Sequence, residues 1–255
     1  MENFVRKSFF SRNPPFIGPE TQIKLAALRV SLIGVGLSSQ IAHALVRVGV
    51  TNLDLWDHDS VEISNLNRQA FSSEEIGCNK AGVTADHVRR INANLDVRIH
   101  ERRFLSDDLD KGLEGVDVVV NSADFSDPIV YEINDAMQRQ GGWCIQPLNL
   151  GFGGSCMIFG PDSPSLSDMT SGRQDSSAAF VQNLLDSSAG FRPSPSLLAL
   201  GEDLLTAGDQ IGYFPQNIIA ALITTSLVTW AVVQIASENA ENIIAPRLLH
   251  FEAKV

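Results

Sequence analysis

The stretch Gly34-Val35-Gly36-Leu37-Ser38-Ser39 puts two glycines in a turn between a short apolar run and an amphipathic stretch. Such a turn closes tightly and lets a phosphate or a ribose approach the backbone. Asp57 follows Gly36 by twenty-one residues and ends the next apolar run, LDLWD. A carboxylate in that place can accept both ribose hydroxyls. Together the two features point to an adenosine and leave ATP and NAD both open. The third glycine of the dinucleotide pattern is absent, with Ser39 in its place.

The segment that follows is rich in phosphate donors. It runs from Asp57, His58 and Asp59 through Asn65, Arg68 and Gln69 to Gly77-Cys78-Asn79-Lys80. Asn65, Arg68 and Gln69 supply hydrogen-bond donors, and Arg68 can fork onto two phosphate oxygens. Lys80 opens a predicted helix, where its charge adds to the amide donors of the helix start. Asp124, at the end of an apolar run, can hold Mg²⁺, which binds through one or two carboxylates plus phosphates. An NAD-dependent oxidoreductase would use the glycines and Asp57 but leave Asn65, Arg68 and Lys80 without a task.

These residues need elements to hold them. Strands are predicted at Arg29–Gly34, Leu53–Asp57, around Val97–Ile99, at Val116–Ser122 and from Trp143. Helices are predicted at 39–48, 80–92 and 129–138. This alternation argues an α/β fold with a Rossmann-like, doubly wound, mainly parallel sheet and helices on both faces. Ligands of such sheets bind beyond the carboxyl ends of the strands, which is where Asp57 and Asp124 fall. The second half differs. Gly151–Gly154 (GFGG) leads into a strand at Cys156–Phe159, and Arg247–Phe251 forms the last one, so C-terminal strands extend the sheet. Residues 161–192, rich in Ser, Asp and Pro, are expected to be a mobile surface segment with a short helix at 178–185. Two further helices follow, the second at Ile218–Ala236. The reading is one domain over 1–255, with a nucleotide-binding half (1–150) and a half for partner and dimer contacts (151–255).

The run SNLNRQ followed by GCNK, with the glycine turn, Asp57, Asp124 and GFGG, resembles the ThiF/MoeB/HesA family, bacterial relatives of ubiquitin-activating E1 enzymes. The resemblance covers nearly the whole chain, from the helix at Glu20–Leu28 to the closing strand near Phe251. It implies an ATP-dependent adenylyltransferase that activates the C-terminal carboxylate of a small ubiquitin-like sulfur-carrier protein or a peptide. It also implies Gly34, Gly36, Asp57, Asp59, Asn65, Arg68, Gln69 and Lys80 as nucleotide contacts, Asp124 as the Mg²⁺ ligand, and a homodimer. In that dimer an N-terminal arginine, Arg12 or Arg6 with Arg12 preferred, crosses to the partner's site. Departures stand beside the likeness. Leu37 and Ser39 are expected to narrow the glycine loop, Phe125 replaces a usual asparagine, and the arginine expected about five residues after Asp124 is missing. These departures motivate the alternative of a non-catalytic relative that binds nucleotide or a partner.

Composition bounds the partners. The formal net charge is −11, which argues against nucleic acid, whose phosphates need a basic surface. The three cysteines, Cys78, Cys144 and Cys156, form no CxxC pair, so neither a disulfide framework nor a zinc site is expected. Cys78 and Cys144 are expected to be buried packing residues, and none of the three to carry a thioester. Ile218–Ala236 holds no formal charge over nineteen residues, long enough to span a bilayer. Its hydroxyls and Gln234 favour a buried core or interface helix instead. The chain is therefore expected to be cytoplasmic, with no membrane partner.

Overall fold

The computed structural model describes residues 9–173, 177–188 and 215–252. A seven-stranded sheet runs through them in the order β3-β2-β1-β4-β5-β6-β7. Its strands are β1 (Arg29–Ile33), β2 (Asn52–Trp56), β3 (Asp96–His100), β4 (Val118–Asn121), β5 (Trp143–Leu150), β6 (Gly153–Phe159) and β7 (Leu248–Glu252). The first five are parallel, and β6 and β7 continue the sheet antiparallel. The doubly wound, mainly parallel sheet with a C-terminal extension is thus as predicted.

Side chains alternate across the sheet with the period of two that a strand imposes. Val30, Leu32, Val118, Val120, Ile145, Cys156 and Ile158 face one core. Helices α1 (Pro19–Ala27), α2 (Val35–Val48), α3 (Lys80–Ile91) and α7 (Ile218–Ala236) cover that face. Ile33, Val119, Cys144, Leu148, Met157 and Phe159 face the other, with α4 (Ile129–Arg139), α5 (Leu166–Met169) and α6 (Ser177–Ser187) above them. Strands buried on both faces read as continuous β-branched runs, which is why β1 and β4 were legible as RVSLI and VVVN.

Two expectations change here. Residues 161–173 and 177–188 are packed and not a mobile surface stretch: Leu166, Phe180 and Leu184 are fully buried in the second core. Apolar residues four apart there outweigh the polar composition that suggested a loop. Residues 174–176 and 189–214, with the first of the two later helices, lie outside the described residues. Cys78 is exposed, because its backbone is engaged with Val61 and Glu75 and turns the thiol outward. Cys144 is buried, as expected, and so is Cys156.

Helix α7 is long and apolar enough to cross a membrane, yet it lies on the sheet with one face. Ala220, Ala221, Thr224, Val228, Ala231, Val232 and Ile235 are buried at helical spacing, while Ile219, Leu222 and Trp230 stay exposed. Gly154 makes this approach possible. A Cβ there would stand 2.3 Å from the Thr224 amide nitrogen, so only glycine lets the helix backbone reach β6.

Candidate active site

The carboxyl ends of β1 to β5 open onto a cavity of about 730 Å³, within the ordinary range for a small-molecule site. Each wall comes from a strand end or the segment after it. Gly34, Gly36 and Leu37 follow β1; Trp56, Asp57, His58 and Asp59 end β2; Arg102, Arg103 and Phe104 follow β3; Ser122 to Phe125 and Asp127 follow β4; Leu148 to Leu150 end β5. Arg68, Gln69, Lys80, Val181 and Gln216 complete it.

Of the sequence-predicted residues, Gly34, Gly36, Asp57, Asp59, Arg68, Gln69, Lys80 and Asp124 all line this cavity. Asn65 does not. It is buried, and its Oδ1 accepts the Glu62 amide at 3.0 Å. Its carbonyl accepts the amides of Arg68 and Gln69. Asn65 thus shapes the turn that carries Arg68 and offers its side chain to that turn, not to the cavity. Arg12 lies exposed on the N-terminal arm, away from the cavity of its own chain. Arg6 is outside the described residues.

Asp57 organises the floor. Its Oδ2 accepts the Val35 amide at 2.7 Å and its Oδ1 the Asp59 amide at 2.8 Å. Helix α2 has no side-chain cap of its own, so a carboxylate from the neighbouring strand satisfies its first amide and faces its positive end. Burial pushes the Asp57 carboxyl above the usual aspartate range, against the downward pull of those two backbone hydrogen bonds. Each carboxylate oxygen has a second lone-pair site, so acceptor capacity remains toward the cavity. Gly34 sits between β1 and α2 with φ +83°, and a Cβ on it would stand 2.5 Å from the Ser122 carbonyl oxygen. Ser39 does not narrow the loop as expected. It is fully buried, donates to the Gly36 carbonyl at 2.7 Å and accepts the Ala70 amide at 3.0 Å. Leu37, two residues earlier, does face the cavity.

Lys80 is the first residue of α3, and its Nζ is 3.0 Å from Asp59 Oδ2. Asn79 before it caps the helix by accepting the amides of Ala81 and Gly82, and donates to the carbonyls of Asp57 and Asp59. One asparagine therefore locks the start of α3 to the end of β2. Arg68 donates from Nη1 to the Ser64 carbonyl and to Asn67 Oδ1, and from Nε to Gln216 Oε1. Burial alone lowers the Arg68 pKa from its usual value. Asp124 is exposed at the mouth, where its Oδ1 accepts the amide and hydroxyl of Ser126. Phe125, beside it, stacks on Phe180 at 4.6 Å and closes that side with an apolar wall.

Among the described residues, Asp57, His58 and Asp59 also bring three ligand atoms within 4.8 Å of one another. Asp57 already serves two backbone amides and Asp59 serves Lys80, while Asp124 keeps Oδ2 beyond its bonds to Ser126. Sequence reading missed Asn79, Arg102, Arg103 and Gln216. The rule of polar strand ends, applied to β3, would have found both arginines. Arg102 holds Asp108 with both Nη atoms at 2.6 and 2.7 Å and lies over the Trp56 ring. Arg103 meets Asp127 at 3.1 Å across the mouth. No local signal marks Gln216.

Comparison with known proteins bears on what this cavity holds. The ThiF family model matches residues 10–254. Similar proteins include the SAMP-activating enzyme E1 of Haloferax volcanii, 33% identical over 150 residues, covering 58% of this chain and 55% of that protein. The sulfur carrier protein adenylyltransferase of Thermus thermophilus is 32% identical over 151 residues, covering 57% of this chain and 54% of that protein. The chain thus spans about half the length of these relatives. Among solved structures, E. coli MccB with AMPCPP and MccA aligns with a TM-score of 0.68 at 18% identity, over 99% of this chain and 67% of that one. The chain belongs to the ThiF family.

Proposed function

We propose that this ThiF-family chain is an ATP-dependent adenylyltransferase that activates the C-terminal carboxylate of a small ubiquitin-like sulfur-carrier protein or a peptide. The observation that carries the reading is the convergence of Asp57, Arg68, Gln69, Lys80 and Asp124 on one cavity. They come from the 57–80 stretch and from the segment after β4, and they suit the parts of one ligand. The donor set fits a nucleoside triphosphate: a buried carboxylate for ribose hydroxyls, then an arginine, an amide and a lysine for phosphates. The names of the Haloferax and Thermus relatives supply the substrate class.

In this reading the carboxylate oxygen of the partner attacks the α-phosphorus of ATP. The new P–O bond forms as the bond to the leaving pyrophosphate breaks, giving an acyl-adenylate. Asp57 orients the nucleoside. Arg68 and Lys80 neutralise phosphate charge as it shifts onto the leaving group, and Asp124 would hold Mg²⁺, which would supply further charge neutralisation for the triphosphate. The catalysis is positioning and electrostatic stabilisation without a protein nucleophile. The wall of Phe125, Phe180, Leu148 and Leu150 keeps water from the adenylate side of the cavity. The cavity's lysine and arginines offset its own carboxylates, so an acidic chain can still receive an anion.

We further infer a cytoplasmic homodimer. The exposed apolar face of α7 (Ile219, Leu222, Trp230) supports a covered surface, and Arg12 on the arm is free to reach a partner's site. Mixing Arg12→Ala and Asp124→Ala protomers then restores one working site per heterodimer; exchanging dimers that stay inactive reject Arg12 as the crossing residue. The main test is ATP–pyrophosphate exchange with small proteins encoded beside the gene. Exchange that depends on such a protein is expected. ATP binding with no exchange across that set would select the non-catalytic reading instead.

A further inference from the structure

Among the described residues, four cations face the cavity, and they differ in how far their charge is cancelled. Lys80 stands on Asp59, Arg102 on Asp108 and Arg103 on Asp127. Arg68 is held by neutral oxygens: the Ser64 carbonyl at 2.7 Å, Asn67 Oδ1 at 2.9 Å and Gln216 Oε1 at 2.9 Å. Its pKa is lowered by burial, with no carboxylate among the described residues to raise it again. A half-buried cation without a counter-ion among the described residues favours an anionic ligand.

The geometry of the holds matters as much as their neutrality. A guanidinium is rigid and planar and carries five donors. Nη1 is fixed from the side of the 62–69 turn, and Nε is fixed from the opposite end of the sequence, 148 residues away. Two anchors set the plane and leave the Nη2 edge for an incoming oxyanion. A carboxylate in the place of Gln216 would orient the group equally well but cancel its charge. Gln216 itself is well placed. It precedes Asn217, which caps α7 by accepting the Ala220 amide and donates to the Gly151 carbonyl at the β5–β6 turn. The Asn67 side chain also reaches the Gln216 carbonyl.

We propose that Gln216 is a positioning residue for the triphosphate, holding Arg68 in plane through a neutral acceptor so that its whole charge and its Nη2 edge meet the phosphates. This rests on the ATP reading above and adds a residue to it. A direct consequence is a link between the corner at Gly151 and Asn217 and the phosphate end of the cavity.

The test is calorimetric binding of Mg·ATP to the full chain, which needs no acceptor protein. Gln216→Met keeps the bulk and removes the acceptor; about a threefold loss of affinity is expected, the weight of one modest hydrogen bond. Gln216→Glu adds the cancelling carboxylate and is expected to cost about tenfold. Thermal midpoints of both variants should match the parent. In an Arg68→Met background, Gln216→Met should have no further effect, because the residue acts through Arg68. Parent-like affinity in both single variants, or an undiminished loss in the Arg68→Met background, overturns the proposal while leaving the ATP reading in place. A parent chain that binds no ATP overturns both.

Discussion

Replacing Asp57 by asparagine separates what this residue costs the fold from what it gives the ligand. The wild-type carboxylate accepts two backbone amides, at 2.7 and 2.8 Å. Asparagine keeps one oxygen, so one charge-assisted hydrogen bond is lost, about 1.5–3 kcal/mol. The same change removes a buried charge, whose desolvation costs several kcal/mol on general grounds, roughly the same size. The upward displacement of the Asp57 pKa, caused first by burial, says that desolvation exceeds the two hydrogen bonds. Asp57→Asn is therefore expected within about 1 kcal/mol of the parent at neutral pH, on the stable side. Asp57→Ala removes the same charge but leaves both amides unmet and should lie about 1–3 kcal/mol below Asp57→Asn. At this chain length that gap is about 2–12 °C in Tm. The sign with pH follows. The folded carboxyl titrates above its unfolded value, so the native state keeps the proton longer. Parent stability relative to Asp57→Asn falls as pH rises from about 3.8 to the raised folded value, and the cost is complete above it. Urea denaturation across that interval measures this. Calorimetry should show ATP binding weakened about tenfold or more in Asp57→Asn, for want of a charged acceptor for the ribose. An asparagine variant as unstable as the alanine one would refute the dominance of desolvation, and unchanged ATP affinity would refute the ribose role.

Gly34→Ala forces a Cβ onto a residue at φ +83° and 2.5 Å from the Ser122 carbonyl, and should cost about 2–4 kcal/mol in chemical denaturation. Asp124→Ala should abolish pyrophosphate exchange with Tm unchanged, since among the described residues its carboxylate bonds to Ser126 on its own loop alone; normal exchange would remove it from the metal site, and an unfolded variant would make it structural. Cys78 alone should react rapidly with a thiol reagent on the native chain, because burial pushes the Cys144 thiol up to about 12 and raises that of Cys156 as well. No thiol-sensitive adduct with the activated partner is expected at any of the three, and one that vanishes on mutating a single cysteine would contradict the mechanism.

The sequence by itself determined the layers of the sheet and the edge on which the site lies. Apolar runs of β1 and β4 and the amphipathic stretches between strands are local signals, since burial on both faces selects β-branched residues in sequence order. The chemical residues at strand ends followed from the same logic, because a parallel sheet sends all its carboxyl ends to one side. That is why Asp57 and Asp124 stood out, while Lys80 was marked by its place at a helix start. Tertiary structure decided which way each loop side chain points. Asn65 and Ser39 sit in stretches that could face a ligand, yet both spend their oxygens on nearby backbone amides. Cys78 turned outward because its backbone was already paired, and Phe180 turned inward despite a polar neighbourhood. Gln216 meets Arg68 across 148 residues of chain. Such a contact has no period and no neighbour in sequence. It exists because α7 packs on β6 through Gly154 and brings its own cap to the site, a consequence of where the helix can come to rest and not of any pattern within it.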